Sequence, residues 1–521
     1  MTTVPLIAAA CTWPDYLVLS LSLAICVAVG IWVGRGQDTL GDYFLAGRNT
    51  HWILACISII ATDLSAISYM GYPGWLYTHD LKFYAGAILT PLAFLLVIIV
   101  FIPTFYRLKV FTTYEYLEGR FHPLARTVAA VLFLFQRGVW LAAAIYIPSL
   151  AVSTFADLPL MACILVTGLL ATLYTMIGGM KAVIWTDLIQ FIISMSGLVV
   201  IIGALMAAFA WDPVAVWHRA SELTASASGT PHTTLIDWTF DLKTEATVWS
   251  LIFFYIIYSM GTYGTDQLVA QRYFTMKTYR DIVKSIMTSS LISIAIVALF
   301  SWMGLLLLVY YDRHPELAKT LQKPDQILPH FVVNTLPAGV RGLILSAIIA
   351  ETMSSLSAGF NSFSTVGVMD IYKRYFAPAQ SSESHDLLVA KIGTLLSGVI
   401  STFAAVWVST LQTDILQTLL SLASKFIGPI TGIFLLGIFT RRGNLAGVLA
   451  GAAVGLVVAF LIDIESVSTF INWIWTAPLV CIITFIVGYL VSLIFPQHPL
   501  PAKTEVRSGL ERTLLDPEKT K

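Results

Sequence analysis

Long apolar runs, each about the length of one bilayer crossing, recur along nearly the whole chain, with polar residues clustered in the short stretches between them. A helix needs roughly 20 mostly apolar residues to cross the hydrocarbon core. Thirteen segments meet that pattern, near 16–34, 51–73, 83–103, 127–152, 158–177, 183–208, 248–271, 285–310, 342–366, 388–409, 414–437, 446–463 and 471–494. The pattern predicts an all-α polytopic membrane protein. Residues 1–495 read as one transmembrane domain, and the Pro-rich, then charged stretch 496–521 reads as a disordered tail. Two connections are long. Residues 209–247, with Ser, Thr and Pro, read as an exposed loop, and the stretch Asp325 to Val333 inside 311–341 reads as a loop helix on the outer face.

Charge fixes the orientation. With the first residues outside, the inner connections and the tail hold 20 Lys and Arg, and the outer connections hold 7. Basic residues stay on the cytoplasmic side, so a multi-pass cell-membrane protein with an outer N-terminus and a cytoplasmic C-terminus is expected. Only 12% of the 521 residues are charged, about half of what a soluble surface carries. The net charge of zero provides no basic field for nucleic acid. The five cysteines are scattered without a CxxC pair, which excludes a disulfide framework and a zinc site of the usual spacing. No basic residue precedes the first apolar run, so that run reads as a retained helix and not as a cleaved leader.

Two segments carry helix-loosening residues in mid-span. The second reads ISIIATDLSAISYMGYPGWLY, with Gly71, Pro73 and Gly74; the seventh reads YIIYSMGTYGTDQLVAQR, with Gly261 and Gly264. Interrupted helices five segments apart point to an inverted-repeat transporter with a midplane site, although ordinary kinks would leave the same trace. Ionisable residues inside the segments are Asp63, Arg137, Asp187, Asp266, Glu351, Lys391 and Lys425. Charge in a bilayer is costly and marks a pathway or a paired site; Asp63, Arg137, Glu351 and Lys425 fall deepest. The ninth segment surrounds a helix with hydroxyls from Thr352, Ser354, Ser355, Ser357, Ser362, Ser364 and Thr365. Such oxygens suit a hard monovalent cation, and small residues also suit close helix packing.

Six motifs in order, DYFLAGR at 42–48, YEYLEGRF at 114–121, IGGMKAVIWTDLIQ at 177–190, DQLVAQRY at 266–273, SSLSAGFNSFST at 354–365 and GPITGIFLLGIF at 428–439, make the chain resemble the sodium:solute symporter family. The resemblance implies a leucine-transporter-like fold of two inverted five-helix repeats, about 51–208 and 248–437, with flanking helices and alternating access. It also implies sodium as coupling ion. The matching positions for a first sodium site are the carbonyls of Ala61, Leu64 and Glu351 with the hydroxyls of Ser354 and Ser355. A second cation site of some members is matched by Asp187, Ser354 and Ser357, whereas Ala358 departs from the serine expected there.

By the same resemblance, solute contacts fall on Asp63, Ser65, Ser68, Ser259 and Thr262. The segment TDLSAIS followed by GYPG is similar to the monocarboxylate, multivitamin, iodide and sialic acid branches more than to the sugar branch. Arg137 and Lys425 are candidate counter-charges for an anionic solute, and the fork of Arg137 suits a carboxylate; either cation could instead partner Asp63 or Glu351. The expectation is sodium-driven symport of a small organic solute bearing a carboxylate, such as a monocarboxylate, a sugar acid or sialic acid. A neutral sugar or polyol is the alternative, and a transporter-like sensor or channel is the alternative of another class. No HExxH, Gly-Xaa-Ser-Xaa-Gly or clustered-His signal of an enzyme is present.

Overall fold

A chain surrounded by lipid has no water to hydrogen-bond its backbone, so it must close those bonds within helices or a barrel. The computed structural model takes the helical solution. It describes residues 11–156, 158–319, 321, 323–378, 380–410, 425–462, 464 and 468–495, and no β-strand occurs among them. The start of the eleventh expected segment, 414–424, and the tail 496–521 lie outside the described residues.

The main helices, in chain order, are α1 (Trp13–Val33), α2 (Trp52–Asp63), α3 (Ala66–Thr78), α4 (Pro123–Ala156), α5 (Leu160–Ala208), α6 (Val248–Ser259), α7 (Gln267–Phe274), α8 (Tyr279–Arg313), α9 (Val340–Val366), α10 (Glu383–Ser409), α11 (Ile427–Phe439), α12 (Leu445–Leu461) and α13 (Thr476–Ile494). Among the described residues, eight continuous helical stretches are long and apolar enough to cross a membrane, or nine with the bent pair Leu40–Arg48 and Trp52–Asp63. The difference from thirteen has identifiable causes. The expected segments 158–177 and 183–208 run on as the 49-residue α5, roughly 74 Å of helix at 1.5 Å per residue and too long for one crossing. It turns at Gly179, whose φ of 51° and ψ of −156° are not helical. The two interrupted segments each divide into shorter helices, and α11 and α12 are short.

The interruptions do not sit where glycine and proline suggested. Helix α3 runs straight through Gly71, Pro73 and Gly74. The second segment instead breaks at Leu64, which turns extended (φ −74°, ψ 146°) after α2. Ser65 and Ser68 then close a local cap, with Ser65 N donating to Ser68 Oγ (3.2 Å) and Ser68 N to Ser65 O (2.8 Å). In the seventh segment Gly261 and Gly264 lie in a π-helical turn, Met260–Thr265, between α6 and α7. Their missing side chains admit Ile427 and Phe101 respectively, and Asp266 restarts the helix by accepting from Leu268 N (2.8 Å).

Helix α9 occupies the centre and is buried for almost its whole length, walled by α1, α4, α5 and α10. Its start is pinned by Asp15 of α1, which accepts from Gly339 N (2.7 Å) and Gly342 N (2.9 Å) and faces Arg341 (3.5 Å), an anion placed at a helix N-terminus. Beyond its other end Asp370 accepts from Arg126 Nε (2.5 Å) and Thr112 Oγ1 (2.7 Å). The stretch 209–247, expected as loop, contains the helix Pro213–Glu222, capped by Asp212 and buried along Val216 and Ala220. The expected loop helix is present as Ile327–Thr335.

At Gly179 a Cβ would lie 2.6 Å from the Tyr43 carbonyl oxygen, in a conformation almost confined to glycine. Gly179→Ala should therefore lower stability by about 1–3 kcal/mol or more, read as a fall in melting temperature of the detergent-solubilised protein. Gly203→Ala, on the same helix with open space around its Cβ, should be neutral or slightly stabilising. Equal melting temperatures for the two variants would contradict this reading of the bend.

Candidate functional site

The break at Leu64 frees carbonyls from α2, and the serines of α9 meet them. Ser354 Oγ lies 3.0 Å from the Ala61 carbonyl oxygen, and Ser355 Oγ donates to the Leu64 carbonyl at 2.8 Å. The same Ser354 hydroxyl lies 2.8 Å from Asp187 Oδ1. A hydroxyl has one proton to donate, so Ser354 cannot serve both acceptors at once. The cluster of Ala61 O, Leu64 O, Ser354 Oγ, Ser355 Oγ and Asp187 Oδ1 thus holds more lone pairs than protons. Such an oxygen cluster, buried and poor in donors, favours a small hard cation. Glu351, one helical turn before Ser354, adds a buried carboxyl group beside Ser194. Neither of its oxygens accepts a hydrogen bond of good geometry.

Asp187 has a second set of partners. Its Oδ2 accepts from the Ser58 hydroxyl and from Arg272 Nη2 (3.1 Å), while Arg272 Nε donates to Ser58 Oγ (2.7 Å) and Nη1 to Leu268 O (2.6 Å). Asp187 and Arg272 are both completely buried. The two form one buried ion pair. Ser58 was missed, since a serine one turn before Thr62 on an apolar helix has no signal of its own. Gln271, next to Arg272, ties α7 to α9 through Asn361 Oδ1 and Thr365 Oγ1, each at 2.8 Å.

On the other side of the break, Asp63 points into a recess. It is accessible to solvent although protein surrounds it, and it accepts from Tyr263 OH (2.6 Å) in the π turn. Tyr263 stacks obliquely on Phe94 (4.1 Å), and Tyr258 lies within electrostatic reach of Asp63 and of a second charged pair, Arg137 with Asp266. Arg137 of α4 binds Asp266 directly and lies over the rings of Trp140 (5.0 Å) and Phe133 (5.6 Å). Its Nε has no acceptor. A small cavity lined by Tyr114, Gln136, Thr265 and Asp266 adjoins the pair.

Of the other residues singled out by sequence, Ser259 is buried at the end of α6, and Thr262 in the π turn has Tyr258 as a polar neighbour but makes no hydrogen bond of good geometry among the described residues. Ser65 and Ser68 flank the break and face each other. Ser357 Oγ turns back to the Ser354 carbonyl (3.0 Å) and makes no hydrogen bond to Asp187. Lys425 is buried with its ammonium 5.6 Å from the Phe460 ring of α12. Tyr263 and Tyr258 were not singled out, because tyrosines on a membrane helix have no distinctive spacing.

The model of the sodium:solute symporter family matches residues 43–455. The sodium/sialic acid symporter SiaT of Proteus mirabilis is 33% identical over 447 residues, covering 85% of this chain and 88% of that protein. The sodium-coupled monocarboxylate transporter 1 of Xenopus laevis is 32% identical, covering 87% of this chain and 72% of that protein. A solved Na+-coupled sialic acid symporter, in a substrate-bound outward-open state, superposes with a TM-score of 0.84 at 29% identity, over 94% of this chain and 100% of that one.

Removing one member of a buried ion pair strands the other, at a cost of about 3–5 kcal/mol. Arg272→Gln and Asp187→Asn should each depress the melting temperature of the purified protein strongly. The double substitution should cost less than the two single ones added together. Strict additivity would mean that the two groups do not act as a pair.

Proposed function

The chain belongs to the sodium:solute symporter family, and from that premise we propose how its residues divide the work of sodium-coupled uptake of a small organic solute by alternating access. The protein is a multi-pass membrane transporter with sodium as its coupling ion, in a leucine-transporter-like inverted-repeat fold. The repeats span about 51–208 and 248–437. The excess of Lys and Arg in the inner connections supports an outer N-terminus and a cytoplasmic tail.

Sodium, as cargo, takes the oxygens gathered at the break: the carbonyls of Ala61 and Leu64, the hydroxyls of Ser354 and Ser355, and the Glu351 carbonyl one turn earlier. The observation that carries this reading is the meeting of Ser354 and Ser355 with exactly those two freed carbonyls. A hydroxyl oxygen can keep one donated bond and still offer a lone pair to a cation. The unsatisfied Glu351 carboxyl nearby favours positive charge at this depth, because a buried anion without a partner is costly. One sodium per cycle is the stoichiometry supported here. The charge of Asp187 is already balanced by Arg272, Ser357 bonds its own helix and Ala358 has no hydroxyl.

The solute occupies the recess between α2, α3, α6 and α4, beside Asp63, Ser65, Ser68, Ser259 and Thr262. A carboxylate on the solute docks on Arg137, whose Nε is unpartnered and which Asp266 holds in place until the solute competes for it. The named relatives carry sialic acid or monocarboxylates, which supports a carboxylate-bearing solute. Lys425, directed toward Phe460, is at most a remote contributor.

The combined substitution Ser354→Ala and Ser355→Ala should abolish sodium-stimulated uptake in proteoliposomes without loss of the folded protein; unchanged sodium dependence would reject the site. In the parent protein the Hill coefficient for sodium should lie near one, and a clearly higher value would reinstate a second ion. Arg137→Lys removes the planar fork and should weaken uptake of carboxylates tenfold or more while changing that of a neutral solute little.

A further inference from the structure

The recess is negative where the solute must lie. Arg137 is the nearest cation assigned to it, and that charge is matched by Asp266. Arg272 is matched by Asp187 behind the break, and the Lys425 ammonium sits over Phe460. Asp63 forms no ion pair among the described residues, and it accepts a hydrogen bond from Tyr263 OH (2.6 Å). An ionised carboxylate has about four acceptor positions; Tyr263 fills one, and solvent reaches the side chain. Among the described residues, the side chains around Asp63 are aromatic and not basic. Tyr72, Tyr255 and Tyr258 all lie within electrostatic reach of Asp63, and Tyr72 stacks on Tyr84 at 4.3 Å. The faces of phenol rings attract ammonium groups, and only their hydroxyls can serve an anion.

A solute carrying only a carboxylate would gain at Arg137 and lose at Asp63, because a fixed anion in a poorly solvated recess repels its charge. A neutral polyol could donate hydroxyls to Asp63 but would leave the unpartnered Nε of Arg137 without an anion. A group that is both cationic and rich in N–H donors satisfies Asp63 and its aromatic wall together. Tyr263, which donates to Asp63, and Asp266, which pairs with Arg137, are three residues apart at the π turn between α6 and α7, so both charged positions face the same short turn and one small molecule can address both.

We propose that Asp63 selects a solute bearing a protonated amine, so that the transported species is a zwitterion: its ammonium lies on Asp63 among the tyrosines and its carboxylate on Arg137. This rests on the symport reading above and narrows it, since the specificity is set by a carboxylate placed directly between two carbonyls of the cation site.

The test is sodium-driven uptake into proteoliposomes of the full-length protein, using labelled pairs of similar shape that differ by the amine. Suitable pairs are alanine against lactate and proline against tetrahydrofuran-2-carboxylate, with N-acetylneuraminate as a larger carboxylate without a free amine. The amine-bearing member of at least one pair should be preferred tenfold or more, and Asp63→Asn should erase most of that preference. Sodium-induced stabilisation of the Asp63→Asn protein, read by melting temperature, checks that the variant is folded and still binds the ion. Sodium-driven uptake confined to the carboxylates, uptake of no amine-bearing probe, or a preference untouched by Asp63→Asn would overturn the proposal. Uptake indifferent to replacing sodium by choline would instead reject the symport reading beneath it.

Discussion

A helix that stops in the middle of a bilayer must find new partners for the backbone groups it releases, and each one left unsatisfied costs several kcal/mol. At Leu64 this constraint is met from another helix. Ser354 and Ser355 of α9 supply the hydroxyls that reach Ala61 O and Leu64 O, while Ser65 and Ser68 satisfy the start of α3 locally. The contact is a structural repair and, on the assignment proposed above, also a cation site, because oxygens that must be bonded by something are bonded by too few protons. It also joins two distant parts of the chain at one point, so a change in the angle of α2 against α9 alters the cation ligands directly.

The acids near this point are not equivalent, and their partners explain how one small region can hold four of them. Asp187 is neutralised by Arg272 and shares Ser58 with it. Asp266 serves as a helix cap and as the partner of Arg137. Asp63 has a tyrosine and solvent, and Glu351 has no well-formed bond at all. The paired acids are closed and rigid, which suits positioning. Among the described residues, the two whose charge no basic side chain offsets are Asp63 and Glu351, one at the break and one on the helix facing it. Charge matching therefore separates paired from unpaired acids more clearly than burial does, since Glu351 is as buried as the paired acids while Asp63 reaches solvent.

Much of the fold could be read from apolar run length, because the bilayer sets that length independently of tertiary detail. The Ser-rich segment and the carbonyl positions Ala61 and Leu64 were likewise legible through motif order, and they do come together. The limits were physical. Gly71, Pro73 and Gly74 suggested a break that α3 does not make; the residues that end α2 are Asp63, Leu64 and Ser65, whose side chains and caps compete with helical bonding only because α9 stands opposite. Pairings such as Arg137 with Asp266 or Arg272 with Asp187 join residues 129 and 85 positions apart, and nothing in either local sequence states the partner. Arg272 lies just past the seventh apolar run, and only the short helix α7 after the π turn carries it into a buried pair. Periodicity could not show that the Lys425 ammonium approaches the Phe460 ring of α12.

On the proposed assignment of the sodium and solute sites, coupling follows from the position of Asp63. It lies between Ala61 and Leu64 in sequence, so a sodium ion drawing both carbonyls toward α9 fixes the backbone on either side of the solute-facing carboxyl group. The ion also brings positive charge close to that group. Fixing the backbone favours solute binding by preorganisation, whereas the added charge opposes a cationic group and favours an anionic one. Reciprocity requires the solute to return to sodium whatever net effect sodium has on it. Symport therefore needs preorganisation to exceed charge repulsion for a solute held by Asp63, and the extended turn at Leu64, whose carbonyl is held across from α9 by Ser355, is the element placed to provide that gain.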